Sequence, residues 1–260
     1  MIARNGQRWL EAAARRVSRR RFEAAPRADS TLRRLEELCE SLRPFGSARV
    51  LLVREAPAGL FRGIVGASGS VRGAPHCLVM VGAEDAAAEV GYVGEAAVLE
   101  ATALGLGTCW VGGLFSREKA DSLAALGPAE RAFAVSPLGR ATADNELEER
   151  LMSAVARSRS RKPLSVIAPG SGEWPAWARA GVEAARLAPS ALNRQPWRFS
   201  MEGGTVLVAA DSDRDTYRIP KRLDCGIAML HFELGARGAG VPGAWRDAAG
   251  RVAAFVPASR

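Results

Sequence analysis

The strongest constraint on what this 260-residue chain can fold into is a pattern that occurs twice. Residues 91–106 read as an apolar helix closed by Gly-Leu-Gly at 105–107, with Trp110 beyond. Residues 224–237 read as a second such helix closed by Gly-Ala-Gly at 238–240, with Trp245 beyond. Glycine adopts the left-handed conformation that stops a helix, so both ends are set locally. The flanks agree more loosely. Helical spacing at Leu32, Leu35, Leu38 and Leu42 precedes a strand-like 50–53, and Val182, Ala185 and Leu187 precede extended segments at 196–199 and 206–209. With further strands at 77–81 and 132–135, and Phe255 near the end, the fold class is α+β. A helix over 145–157, with Asp144 or Asn145 as cap, and a Pro/Gly/Ser-rich link at 169–175 separate the copies. The expected division is therefore 1–168 and 169–260.

Composition removes several classes of function. No apolar run approaches the roughly 20 residues of a membrane helix, because Glu100, His231 and Glu233 interrupt the longest ones. The cysteines at 39, 77, 109 and 225 form no Cys-x-x-Cys pair, and His76 and His231 are the only histidines, so no metal site is expected. Scattered thiols fit a reducing cytoplasm. An alternative use of residues 1–22, rich in Arg and Ala, poor in acids and with Trp9, Ala13 and Val17 at helical spacing, is a targeting peptide. Neither histidine has a Ser or Cys partner that would support hydrolysis. Cys109 and Cys225 read as buried small hydrophobes, and Trp110, Trp197 and Trp245 as packing residues.

The net charge of +8 is concentrated. Residues 1–34 hold ten arginines against three acids, and a second knot comprises Arg157, Arg159, Arg161 and Lys162. Such clusters call for a polyanion or a phosphate. Only Trp9 and Phe22 accompany the first knot and no aromatic the second, so no stacking platform for nucleic acid is visible. Two discrete knots suit one small phosphorylated ligand.

Residues 184–199, AARLAPSALNRQPWRF, resemble the flavin-binding signature of the nitroreductase family. Residues 16–22, RVSRRRF, are similar to that family's Arg-x-Ser-x-Arg/Lys-x-Phe opening, and residues 105–113, GLGTCWVGG, to its glycine segment beside the flavin ring. Residues 159–163, RSRKP, resemble the basic segment that completes its phosphate pocket. The order departs from that of an ordinary member, in which the opening is closely followed by the Pro-Ser-x-x-Asn motif. Here about 170 residues separate them. The family's flavin sites lie at a homodimer interface, so the chain resembles two-subdomain members in which an internal duplication makes one chain a pseudo-dimer. The first half carries Arg-Pro-Phe-Gly at 43–46 near where the Asn-x-Gln-Pro motif would stand.

The resemblance implies the following roles. Arg16, Ser18, Arg159 and Arg161 match ligands of the FMN phosphate, for which charge-assisted guanidinium contacts are suited. Arg20 matches a cation near the pyrimidine edge, where negative charge gathers on reduction. Gly112 and Gly113 match backbone donors to the redox-active ring nitrogen. Pro189, Ser190 and Asn193 match the contacts contributed by the other subunit to ring and ribityl chain. Ala67 and Ser70 stand where the family has Asn and Lys in a loop along the flavin. The implied function is an FMN-dependent oxidoreductase taking electrons from NAD(P)H to a nitroaromatic, quinone or similar small-molecule acceptor by a ping-pong mechanism, with no side-chain acid required. A monomer suffices if one chain imitates the dimer. The alternative is a non-catalytic flavin carrier or sensor; a flavin-free nucleic-acid binder is the third reading.

Overall fold

Two apolar helices, each stopped by a left-handed glycine, organise the protein. The computed structural model describes residues 2–26, 28–42, 46–61, 70–142, 160–215 and 218–258. The elements in order are α1 (Ile2–Arg15), α2 (Asp29–Ser41), β1 (Arg49–Val53), β2 (His76–Ala83), α3 (Ala87–Ala103), β3 (Gly107–Thr108), α4 (Arg117–Leu123) and β4 (Glu130–Gly139). They continue with α5 (Leu164–Ile167), α6 (Ala176–Ala185), β5 (Trp197–Glu202), β6 (Thr205–Ala210), α7 (Lys221–Gly238), β7 (Gly243–Arg246) and β8 (Ala253–Pro257). None of the described helices is long and apolar enough to cross a membrane. The helix expected at 145–157 lies outside the described residues.

The glycine stops form as the sequence requires. After α3, Gly105 at φ +77° donates its N–H to Thr102 O at 3.1 Å, and Leu106 N–H reaches Ala101 O at 2.9 Å. After α7, Gly240 at φ +82° donates to Arg237 O at 2.9 Å, and Val241 N–H reaches Ala236 O at 3.0 Å. Both are the paired closure that satisfies the last helical carbonyls. The two helices are buried on nearly every face, their polar interruptions Glu95, Glu100, His231 and Glu233 included.

Each helix belongs to a four-stranded antiparallel sheet, with orders β1-β2-β4-β3 and β5-β6-β8-β7. The connectivity is the same in both: a hairpin, a long helix, an edge strand, then a return strand inserted beside the hairpin. In the first sheet Cys77, Val79 and Val81 of β2 face a cluster with Val111, Phe115 and Ala120. Met80 lies on the α3 side, where a Cβ on Gly94 would come within 3.0 Å of it. In the second unit Phe232 of α7 stacks on Phe199 at 5.5 Å and meets Trp177, Trp245 and Phe255 edge-on. Trp245 is thus a packing residue, as its context suggested.

The contacts divide the chain elsewhere than at 168/169. One unit comprises residues 16–159; the other joins 1–15 to 160–260. The reason is α1, whose Trp9 and Ala12 are fully buried and whose Leu10 lies 3.2 Å from where a Cβ on Gly238 would stand. Its helical spacing was legible, but the helix ends at Arg15, before Val17. The four cysteines are buried thiols; burial pushes Cys39 and Cys77 up to about 12, so neither is a thiolate at neutral pH.

Candidate functional site

In the unit spanning 16–159, residues 18–22 run as an extended segment along the edge of the first sheet. Ser18 bridges Thr108 in parallel, and Arg19 N–H donates to Thr108 O at 2.8 Å. The segment then threads between two neighbours. Arg72 N–H donates to Arg20 O at 2.8 Å, Phe22 N–H to Arg72 O at 3.0 Å, and Glu23 N–H to Arg140 O at 2.9 Å. Two register-paired glycines, Gly107 and Gly139, make room for the buried Phe22 ring: Cβ atoms there would lie 3.1 and 3.3 Å from its carbons. The Gly-Leu-Gly segment is therefore explained by a helix stop at 105 and the seat of Phe22 at 107.

The basic segment holds its charges on this fixed backbone. Arg16 is half-buried, and its Nη1 is shielded from solvent with no hydrogen-bond partner among the described residues. A buried guanidinium N–H in that state forfeits its hydration without replacement. Arg20 and Ser18 are likewise half-buried. Of the loop expected beside them, Ala67 lies outside the described residues, and Ser70 accepts a bond from Arg72 Nε at 3.1 Å.

Gly112 and Gly113 lie in a short turn held at both ends. Val111 exchanges two backbone hydrogen bonds with Val135, at 2.9 and 3.0 Å, and Ser116 N–H donates to Leu60 O at 2.8 Å. Gly113 is exposed, Leu114 is 50% exposed, and the amides of Gly112 and Gly113 make no hydrogen bond to the described residues. Before the turn, Trp110 donates Nε1–H to Glu95 at 2.7 Å, and its ring packs so closely on α3 that a Cβ on Gly94 would meet it at 2.6 Å.

In the other unit the Pro-Ser-x-x-Asn motif forms a loop with three left-handed non-glycine residues: Leu192 (φ 51°), Asn193 (φ 56°) and Gln195 (φ 46°). Such clusters persist only where the surroundings over-determine the backbone. Ser190 Oγ accepts Gln195 N–H at 2.9 Å, which leaves the hydroxyl proton available to donate. Asn193 Oδ1 accepts from Arg161 Nη1 at 3.3 Å and from Gln195 Nε2 at 3.1 Å, while its Nδ2 donates to Ser160 O at 2.9 Å. Arg161 Nη2 also donates to Leu187 O at 3.3 Å. Lys162 N–H donates to Gln195 Oε1 at 2.8 Å. Arg161 thus shares a unit with Asn193, although the expected division placed the two on opposite sides. Arg159 lies outside the described residues. Pro189 is half-buried at the loop's start.

Sequence reasoning missed Asp224. It sits in the first turn of α7, is 2% exposed, and accepts Ala191 N–H at 3.1 Å and Arg194 Nε–H at 2.7 Å. Burial pushes its carboxyl up to about 6, against the opposing pull of Arg194. Nothing local marks it, since an acid in a helix's first turn is ordinary. Gln195, also 3% exposed, stood within the motif but without an assigned role.

A family model described as "Putative TM nitroreductase" matches residues 9–236. A solved structure from Thermotoga maritima, described as a "putative nitroreductase", is similar at 23% identity and TM-score 0.58, covering 95% of this chain and 93% of that one. A nitroreductase family protein from Clostridium novyi NT matches at 21% identity and TM-score 0.43, over 53% of this chain and 87% of that one. A structure described as an oxidoreductase containing FMN matches at 16% identity and TM-score 0.45, over 64% and 91%. No curated protein sequence matches the chain.

Proposed function

The chain belongs to the nitroreductase family whose model matches residues 9–236, and from that membership we propose that it is an FMN-dependent oxidoreductase passing electrons from NAD(P)H to a nitroaromatic, quinone or similar small-molecule acceptor. The observation that carries the proposal is Arg16, whose buried Nη1 has no acceptor among the described residues. A phosphate dianion would supply one through a charge-assisted bond.

The other residues fit the same group. Ser18 adds a hydroxyl donor two residues along the same segment, and Arg20 a fixed positive charge. Gly112 and Gly113 offer amides that no described residue engages, on a turn pinned by Val111 and Ser116. Ser190 offers its hydroxyl proton, and the family resemblance also assigns Pro189, Asn193, Arg159 and Arg161 to the flavin. Bound FMN would supply hydride acceptance and electron delivery. The chain's own part is to bind the phosphate, orient the ring with backbone donors and stabilise negative charge beside it; any proton comes from solvent. Donor and acceptor would occupy one pocket in turn. Fusion of two subunits into one chain is supported by the shared connectivity of the sheets.

The test is made on the purified whole chain. It should bind one FMN per chain as a monomer, bleach with NAD(P)H under anaerobic conditions and recover its colour on addition of a nitroaromatic or quinone. Flavin that NAD(P)H cannot bleach would favour a carrier or sensor. A chain that takes up no FMN would overturn the proposal, and two flavins per chain would overturn the single-site fusion.

A further inference from the structure

We propose that Asp224 is a positioning residue: from the first turn of α7 its carboxylate clamps the 190–195 loop at Ala191 and Arg194, and so sets where Ser190 and Asn193 stand. As a statement about flavin binding it rests on the function proposed above; as a statement about the loop it does not.

The loop needs such a clamp. Leu192, Asn193 and Gln195 all hold φ values between 46° and 56°, a region that L side chains disfavour. Unheld, the backbone would relax toward ordinary turn conformations and carry Ser190 and Asn193 with it. Asp224 grips on both sides of the first strained residue. Oδ1 takes the Ala191 N–H just before Leu192, and Oδ2 takes Arg194 Nε–H just after Asn193. Arg194 carries the restraint onward, donating Nη2–H to Ile219 O at 3.0 Å.

The geometry is built for this contact. A carboxylate in a helix's first turn ordinarily remains in solvent and favours its own helix's N–H groups. Asp224 is instead 2% exposed and directed at a loop some thirty residues away in sequence. Ionising a buried carboxyl is costly, and the cost is met only by good partners. Arg194 is the cation facing it, Asp215 an anion whose charge opposes its ionisation, and Cys225 its neutral neighbour on α7. Gln195 braces the far end of the loop through Ser160 O and Lys162 N–H. Asp224 is the brace at the near end.

The experiment compares wild type, Asp224→Ala and Asp224→Asn as full-length chains. Hydrogen exchange is measured on protein freed of flavin, and affinity is measured with FMN and with riboflavin. In Asp224→Ala, amides 191–195 should exchange at least about tenfold faster while amides 227–234 in α7 keep their protection. FMN and riboflavin affinity should weaken by the same factor of about ten or more, because the phosphate contacts are untouched. Asp224→Asn retains an oxygen for Ala191 N–H. Protection at 191 should therefore return while that at 194 and 195 does not, a split that general loss of structure would not produce. If Asp224→Ala does not fold, this split in the Asn variant decides alone. Unchanged exchange across 191–195, or loss of protection spread evenly through α7, would overturn the proposal. The expected exchange pattern in a protein that binds neither FMN nor riboflavin would establish the clamp and overturn the flavin reading.

Discussion

Arg161 Nη1 donates to Asn193 Oδ1 at 3.3 Å, joining a basic residue expected at the phosphate to the asparagine of the Pro-Ser-x-x-Asn motif. The same guanidinium reaches Leu187 O, so it holds the loop as well as carrying charge. Arg16 has no such engagement at its buried Nη1.

The two arginines should therefore behave differently on replacement. Arg16→Ala should weaken FMN binding about 10- to 100-fold, the worth of one charge-assisted contact, with little effect on riboflavin. Arg161→Ala should weaken FMN and riboflavin by similar factors, because it loosens the loop around Asn193. Fluorescence titration with both flavins separates the cases. A phosphate-selective loss in Arg161→Ala would return that residue to the phosphate pocket.

The crossing of α6 and α7 depends on absent side chains. A Cβ on Gly235 would lie 2.4 Å from Ala180 O and 2.8 Å from Ala184 Cβ, so the helices would have to separate. Gly235→Ala should cost about 1–3 kcal/mol in urea unfolding. Gly172→Ala, with nothing within 4 Å and no left-handed backbone, should be close to neutral. Equal effects of the two would refute the close-approach account.

Asp224 also predicts a pH dependence. Its carboxyl is raised to about 6 in the fold, chiefly by burial, with Asp215 adding to the rise and Arg194 opposing it. The folded chain thus holds this proton more tightly than the unfolded chain, whose aspartates titrate near about 4. The stability so gained is complete below about pH 4 and is lost as pH rises through about 6. The unfolding free energy of wild type minus that of Asp224→Asn should fall between pH 4 and 6 and level off above. A difference that increases with pH over that range would contradict the raised value.

Much of the architecture was readable from local chemistry. The stops at Gly105 and Gly240 follow from glycine's freedom at positive φ, and the helices before them from apolar runs that no strand could use at that length. The strands at 50–53, 77–81, 132–135 and 206–209 all lie within observed strands, since β-branched and apolar runs between turn residues carry their own signal. The RVSRRRF and APSALNRQPW segments were legible as motifs for the same reason: contiguous residues spell them.

What the tertiary structure alone decided is which surfaces meet. The spacing of Trp9 and Ala13 announces a buried face on α1, but periodicity does not name the surface that covers it, and contacts place it with the unit that begins again at residue 160. Gly107 reads as a motif glycine, yet the close approach of Phe22 from 85 positions earlier is what requires it. The partnership of Asp224 with Ala191 and Arg194, and of Lys162 with Gln195, left no trace in spacing or composition. A hydrogen bond between residues thirty positions apart depends on chain path, and a single sequence states local preference but not path.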